Sequence, residues 1–241
     1  MVEFLSQGHI LVTRVAVPEG FTLSGITERL AASGLVSRAA FRRALSAGLP
    51  GLTIPAAAHG SLEGFLFPDT YLIPRGTTAR AIVLMMWQDF LARTRTLRPE
   101  VASRHLTLWS WVTLASVVQA EDANPSAAPR VAAVFLNRLQ RHMPLQSDAT
   151  VRYALGNPKG ALTLHDLTVP SPYNTFRVSG LPAGPIDSPG LVALRAVLQP
   201  APITALFFVT TPSGTVLYAN TYAEQLKNIE RVHALRHSKQ A

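Results

Sequence analysis

Residues 114–125 read LASVVQAEDANP: an apolar run that ends in two adjacent acids and then an Asn-Pro stop. Few folds can accommodate both halves of that stretch. On a helix, Trp111, Leu114, Val118 and Glu121 recur every three or four residues and share one stripe. Glu121 is therefore expected on the apolar side of its helix, with Gln119 on the water side. Asn124-Pro125 ends the helix at once and leaves Glu121 in its last turn. There the negative end of the helix dipole and the apolar neighbours both disfavour a charged carboxylate, so its pKa is expected to rise. A carboxylic acid still protonated near neutral pH is what general acid catalysis requires. The alternative use of the same residue is a structural ion pair with Arg130 or Arg138 of the next helix. Asp122, about 100° round the helix, is expected to be a solvated C-terminal acid.

The flanking sequence alternates strand and helix signals. ILVTRVAVPEG (10–20) reads as a strand closed by a Pro-Glu-Gly turn. Leu23, Ile26 and Leu30 then mark a short amphipathic helix stopped by Gly34; a second begins at a Ser37 cap, buries Phe41 with Leu45, and stops at Gly48. Phe65, Phe67, Tyr71 and Ile73 surround a Pro-Asp turn, and Thr77 or Thr78 caps a helix with Ile82, Met85, Met86 and Phe90 on its apolar face. RTRTLRPE (93–100) reads as a polar link and divides the chain into 1–98 and 99–241. Beyond it come a helix ending near Asp122, a second at 128–142, a loop-rich middle dense in Pro and Gly, a helix at 190–200, a strand pair around Ser213-Gly214, and a last helix at 221–235. The fold class expected is α+β: a small N-terminal α/β subdomain, then a mixed helical domain with a short β-hairpin and long loops. Long loops inside a compact domain are usually functional.

Composition narrows the chemistry. With 48% hydrophobic and 15% charged residues over 241 positions, the chain can bury a substantial core. It has no cysteine, which excludes disulfides, thiolate metal sites and cysteine nucleophiles. None of the seven histidines (His9, His59, His105, His142, His165, His233, His237) forms a two-residue metal spacing, so no metal is expected. The formal charge of +8 suits a polyanion, whether nucleic acid, anionic lipid headgroups or the acidic polymers of a cell wall, but the basic residues are scattered and lack interleaved aromatics, which argues against nucleic acid. GLPAGPIDSPG (180–190) lacks the lysine-serine ending of a phosphate loop, and no G-x-S-x-G elbow occurs. No stretch is long and apolar enough for a bilayer, and the opening MVEFLSQGHILVTRV lacks the features of a signal peptide.

Three long segments, SLEGFLFPDTYLIPRGTTA (61–79), the run from Leu114 to Gly156, and VPSPYNTFRVSGLPAGPIDSPGLVALRAVLQP (169–200), together resemble the YceG-like endolytic murein transglycosylases, in register across nearly the whole chain. The resemblance implies a metal-free, cofactor-free lyase that cuts the β-1,4 bond between N-acetylmuramic acid and N-acetylglucosamine and leaves 1,6-anhydro ends. It places the catalytic acid of the family's ASIVEKE motif on Glu121, with Gln119 at that motif's first acidic position. It further implies substrate contacts from Gln146, Ser147 and Asp148 of LQSD, and from Tyr173, Asn174 and Thr175 of PYNT. Helix capping by Asp148 and turn-fixing by Asn174 are the structural alternatives. The 180–185 loop is expected to shape a groove, and Glu63 and Asp69 to hold the two parts together. The N-terminal part resembles a LysM-like, glycan-binding subdomain. The family implies peptidoglycan strands and wall-synthesis enzymes as partners, and an outward-facing location at the cell membrane through an anchor helix that this sequence lacks. The family's EHN near the end reads Glu224, Gln225, Leu226 here, which removes any role carried over for that segment. An inactive wall-binding module and a two-carboxylate hydrolase using Asp148 are the rival readings.

Overall fold

The computed structural model describes residues 11–122, 124–157 and 160–237. The expected start of the first strand at Ile10, the chain's opening segment with His9, and the side chain of His237 lie outside the described residues. Strand β1 (Val12–Ala16) pairs antiparallel with β2 (Thr70–Pro74), from Val12 opposite Pro74 to Ala16 opposite Thr70. Val15, Tyr71 and Ile73 alternate into the core while Val12 and Leu72 face water. The unit opened by the first strand is therefore closed by a partner more than fifty positions later, and not by its two helices alone.

Those helices, α1 (Leu23–Ala32) and α2 (Arg38–Leu45), start where a hydroxyl can take an orphan amide: Thr22 Oγ1 accepts from Gly25 N–H and Ser37 Oγ accepts from Ala40 N–H. Helix α3 (Ala79–Arg93) is capped by Thr78 in the same way and buries Ile82, Val83, Met86, Trp87 and Phe90. Phe65 stands edge-on to Phe90 at 5.7 Å and stacks on Trp109 at 5.2 Å. Trp109 belongs to a later helix, so one apolar core runs without a break from Val15 to Leu198. Residues 93–100, read as a polar link, instead form a turn and the start of α4 (Arg98–Ser103). Thr94 and Leu97 are buried there, Thr94 Oγ1 donates to Phe90 O, and Pro99 suits the first helical turn.

Helix α5 (Leu108–Glu121) lies in the middle of the molecule, against α6 (Ala128–Gln140), α7 (Asp148–Ala154) and α8 (Leu191–Leu198). Trp111 Nε1 donates to Leu194 O at 2.8 Å, and Ser116 Oγ accepts from Ile186 N–H at 3.0 Å. The hairpin of β3 (Phe207–Thr210) and β4 (Val216–Ala219) is tied to α6 by Asn137, whose amide donates to Ile203 O and Ala205 O, and carries α9 (Tyr222–His237) on its other side. The architecture is α+β with two small antiparallel sheets. No helix among the described residues is long and apolar enough to cross a membrane.

Two positions join the first part of the chain to α5 and α7. Glu63 is buried; its carboxyl accepts from Leu23 N–H at 2.8 Å and from the Tyr153 hydroxyl of α7 at 3.2 Å. Asp69, in contrast, pairs with Arg93 and takes Thr70 N–H, both within the first part. Gly64, at φ +84°, passes so close to the 180s loop that a Cβ there would stand 2.5 Å from Pro185 Cβ and 2.9 Å from Val112 Cγ1. Gly64→Ala combines that overlap with a left-handed backbone and is expected to cost roughly 2–4 kcal/mol. A lower urea midpoint at unchanged slope would show it; an unmoved midpoint would mean the junction is slack.

Burial pushes Glu63 up to about 7, against the pull of its three hydrogen-bond donors, Leu23 N–H, Tyr153 O–H and Gly64 N–H. Its folded pKa lies above its ordinary value of 4.5, so the folded state holds the extra proton between those values. The stability this contributes is complete below the unfolded pKa and is lost as pH rises through 7. Relative to Glu63→Gln, the wild type is expected to lose roughly 3 kcal/mol between pH 4.5 and 8. Urea titrations of both proteins across that range test this, and a constant difference would refute it.

Candidate active site

From Trp109 to Val118 every residue of α5 except Ser110 is buried, so the helix has no water-facing stripe in its middle. Glu121 emerges at its last residue. Asp122 then turns to extended backbone at φ −166°, its carboxylate accepting Asn124 N–H at 2.8 Å. Asn124 in turn accepts from Ser126 with its side chain and from Ala127 and Ala128 with its carbonyl, which starts α6. Glu121 is left half-buried, facing a cavity of roughly 640 Å³. One side of that cavity is made by α6, Leu145, Gln146 and α7; the other by β3 and the Tyr222, Gln225 and Ile229 face of α9.

A chain of hydroxyls holds the carboxyl. Ser147 is buried and its Oγ–H donates to Glu121 Oε1 at 2.5 Å. Ser147 N–H donates to Thr175 Oγ1 at 3.0 Å, and the Thr175 and Thr150 hydroxyls pair at 2.8 Å. Thr150 Oγ1 lies 2.7 Å from Ser147 O and donates to it, which makes Thr175 the donor within the pair. Gln146 adopts left-handed φ of +53° and donates its N–H to Thr175 O. A non-glycine residue in that region stores strain, a feature typical of functional loops. Desolvation raises the Glu121 pKa and is the largest influence on it. The Ser147 hydrogen bond pulls it down, the charge of Asp148 raises it and Arg152 lowers it; burial wins.

Neither candidate ion-pair partner serves Glu121. Arg138 donates to the carbonyls of Leu206, Pro144 and Leu145 and to Gln146 Oε1, and lies over the Phe207 ring at 4.9 Å. It is a buried guanidinium satisfied by carbonyls, and desolvation lowers its pKa. Arg130 lies over the Tyr218 ring. Asp148 opens α7, 3.7 Å from Arg152 one turn on; Ser147, not Asp148, occupies the cap position.

The remaining sequence candidates separate. Gln146 and Asp148 line the cavity with Glu121. Asn174 and Thr175 are fully buried, and Asn174 Nδ2 ties down the carbonyls of Leu167 and Val169. Tyr173 packs on the Tyr153 ring at 4.9 Å, and burial, with the charge of Glu63 after it, raises its pKa; it belongs to the far side of α7. Gln119 is half-buried and accepts Gly190 N–H at 3.0 Å, which corrects the expectation that it faces water. The last helix, given no role from sequence, supplies Gln225, whose Nε2 donates to Phe208 O and whose buried Oε1 has no partner among the described residues. A cavity of similar size beside α4 offers Glu100, but that carboxylate is solvent-accessible and paired with Arg104.

The YceG-like family model matches residues 1–231. An endolytic murein transglycosylase of Bacillus subtilis strain 168 is 34% identical over 171 residues, covering 70% of this chain and 48% of that protein. An endolytic murein transglycosylase of Streptococcus pneumoniae strain D39 is 32% identical over 251 residues, covering 92% of this chain and 45% of that protein. The chain thus spans about half the length of the curated relatives it matches. The crystal structure of a yceG-like protein from Listeria monocytogenes superposes with a TM-score of 0.81 at 29% identity, covering 94% of this chain and 79% of that one.

Removing the hydroxyl that favours the ionised form should raise the Glu121 pKa further. Carboxyl-carbon NMR titration of the wild type and Ser147→Ala is expected to show Glu121 titrating at higher pH in the variant. An unchanged or lower pKa would remove Ser147 from the proton chemistry.

Proposed function

The chain belongs to the YceG-like family, and on that premise we propose that it is an endolytic lytic transglycosylase of peptidoglycan with Glu121 as acid and base. The observation that carries this reading is a carboxyl with a raised pKa, in no ion pair with an arginine among the described residues, held by Ser147 at the edge of a cavity. Ser147 occupies Oε1, so Oε2 is the oxygen that carries the proton. Glu121 donates it to the glycosidic oxygen between N-acetylmuramic acid and N-acetylglucosamine, and the C1–O bond breaks. The carboxylate then takes the proton of the muramic C6 hydroxyl as O6 bonds to C1. A 1,6-anhydro end forms, no water is consumed, and Glu121 is protonated again. This chemistry needs one carboxyl and no cofactor.

Gln146 and Asp148, which line the cavity, would touch the sugar, with Ser147 and Thr175 positioning the acid and Asn174 the loop. The part before residue 99 would act as a LysM-like glycan-binding element, and the formal charge of +8 suits an acidic wall. The natural setting of such an activity is the outer face of the cell membrane beside wall-synthesis enzymes, where it would end the growth of new strands. A two-carboxylate hydrolase is the second reading, favoured by Asp148 lining the same cavity and raising the Glu121 pKa.

Digestion of purified peptidoglycan by the wild type and Glu121→Gln, read by mass spectrometry, tests the proposal. Ends lighter by one water than hydrolysed ends are expected, with the rate at least about 100-fold lower in the variant. Hydrolysed ends would transfer the reading to Asp148, and no cleavage by the wild type would refute both.

A further inference from the structure

The end of α5 meets the start of α7 through the hydrogen bond from Ser147 to Glu121. Helix α7 has seven residues, of which only Thr150 and Val151 are fully buried. A helix that short has little stability of its own and stands where its neighbours put it. Thr150 is engaged inside the hydroxyl chain, with Ser147 O and Thr175. Arg152 reaches Gly160 O and Asp148 of its own helix. At the far end stands Tyr153, whose hydroxyl donates to Glu63 at 3.2 Å. We propose that Glu63 is a positioning residue for the catalytic acid, acting through Tyr153 to hold α7, and with it the Ser147 hydroxyl, against Glu121. This rests on the transglycosylase reading for what Glu121 does, and names the residue of the first part of the chain on which its alignment depends.

Glu63 is itself firmly placed. It is buried, and its carboxyl accepts Leu23 N–H at the start of α1 at 2.8 Å. The two residues after it lock the segment to α5: Gly64 passes against Val112, and Phe65 stacks on Trp109 at 5.2 Å. Trp109 and Val112 lie near the start of α5, and Glu121 is its last residue. Residues 63–65 therefore tie the start of α5 to the end of α7, while Ser147 ties the end of α5 to the start of α7. Two helices fastened at both ends form a closed frame. Helix α7 is only about 10 Å long, so a displacement at Tyr153 is carried to Ser147. A second path runs beside it. The Tyr153 ring packs on Tyr173 at 4.9 Å, two residues before Thr175, whose hydroxyl accepts Ser147 N–H.

Protonation tunes this strut. An ionised Glu63 accepts from Tyr153 and Leu23 in charge-assisted bonds, whereas a protonated carboxyl holds the same donors less firmly. Those donors favour the charge, burial opposes it, and the balance falls at about 7. The other titratable groups beside Glu63 are Asp187 of the 180s loop and the hydroxyls of Tyr153 and Tyr173. Burial raises the pKa of all three, the charge of Glu63 raises it further, and Glu19 adds to the rise at Asp187. Both tyrosines therefore stay protonated through neutrality, and Asp187 is disfavoured from ionising beside a charged Glu63. The charges that act on Glu121 are those of Asp148 and Arg152, so Glu63 reaches the acid through position and not through its field.

The test is carboxyl-carbon NMR titration of Glu121, with peptidoglycan cleavage kinetics alongside, in Tyr153→Phe, Glu63→Ala and Glu63→Gln. Tyr153→Phe keeps the ring on Tyr173 and removes only the hydroxyl. Loosening Ser147 should raise the Glu121 pKa, in the direction of Ser147→Ala, and lower kcat about tenfold to a hundredfold with KM little changed. Glu63→Ala should do the same, and the double variant should lose no more than either alone, because both remove one contact. Glu63→Gln can accept from Leu23 and donate to the Tyr153 oxygen, so it should restore most of the rate. In the wild type the Glu121 signal should carry a second inflection near pH 7, which Glu63→Gln lacks. Should Glu63→Ala fold poorly, Tyr153→Phe carries the test. A Glu121 titration unmoved by Tyr153→Phe, in a protein whose other amide signals are native, would overturn the strut whatever the cleavage rates. Shifted titrations without any cleavage by the wild type would keep the strut and sink the transglycosylase reading.

Discussion

Between Trp109 and Val118, α5 has almost no surface in water, so each of its side chains is matched by a neighbour from another element. Trp111 fastens α8, Ser116 fastens the 180s loop, and Trp109 receives Phe65 from the first part of the chain. A helix enclosed in this way cannot rotate or slide without breaking several contacts at once. Its last residue is fixed by everything around it, and that residue is Glu121. The enclosure thus sets both the position of the acid and the low polarity that raises its pKa.

The hydroxyl chain shows how a buried acid is tuned as well as placed. Ser147 favours the charged form of Glu121, but it is held in turn by Thr175 and Thr150, which are fully buried and have no freedom to follow a movement of the carboxyl. Satisfied buried networks of this kind rigidify a site. Three residues that the family resemblance assigns to substrate contact therefore have their side-chain hydrogen bonds directed inward here: Ser147, Asn174 and Thr175.

Features set by residues within a turn of one another are legible in the sequence, and those set by tertiary closure are not. The caps at Ser37 and Thr78, the stop at Asn124 and the hairpin around Gly214 follow from residues within a turn of one another. The stripe through Trp111, Leu114, Val118 and Glu121 put the carboxyl on the correct side, but it sent Gln119 into water because periodicity assumes a solvated face. The uninterrupted run from Trp109 to Val118 was the sign that no such face exists. The pairing of β1 with β2, the grip of Ser147 on Glu121 across 26 positions, and the arrival of Gln225 in the cavity depend on tertiary closure and have no local signature.

Glu121 and the surface opposite it are built from separate parts of the chain. The acid, its hydroxyl chain and its burial belong to α5, α7 and the loop at Thr175, whereas the facing surface of Tyr222, Gln225 and Ile229 is supplied by α9 after the hairpin. On the function proposed above, substitutions on α9 would reshape the outline that a ligand must match without touching the hydrogen bond that holds Glu121, so the shape of the cavity and the environment of its acid could be altered independently.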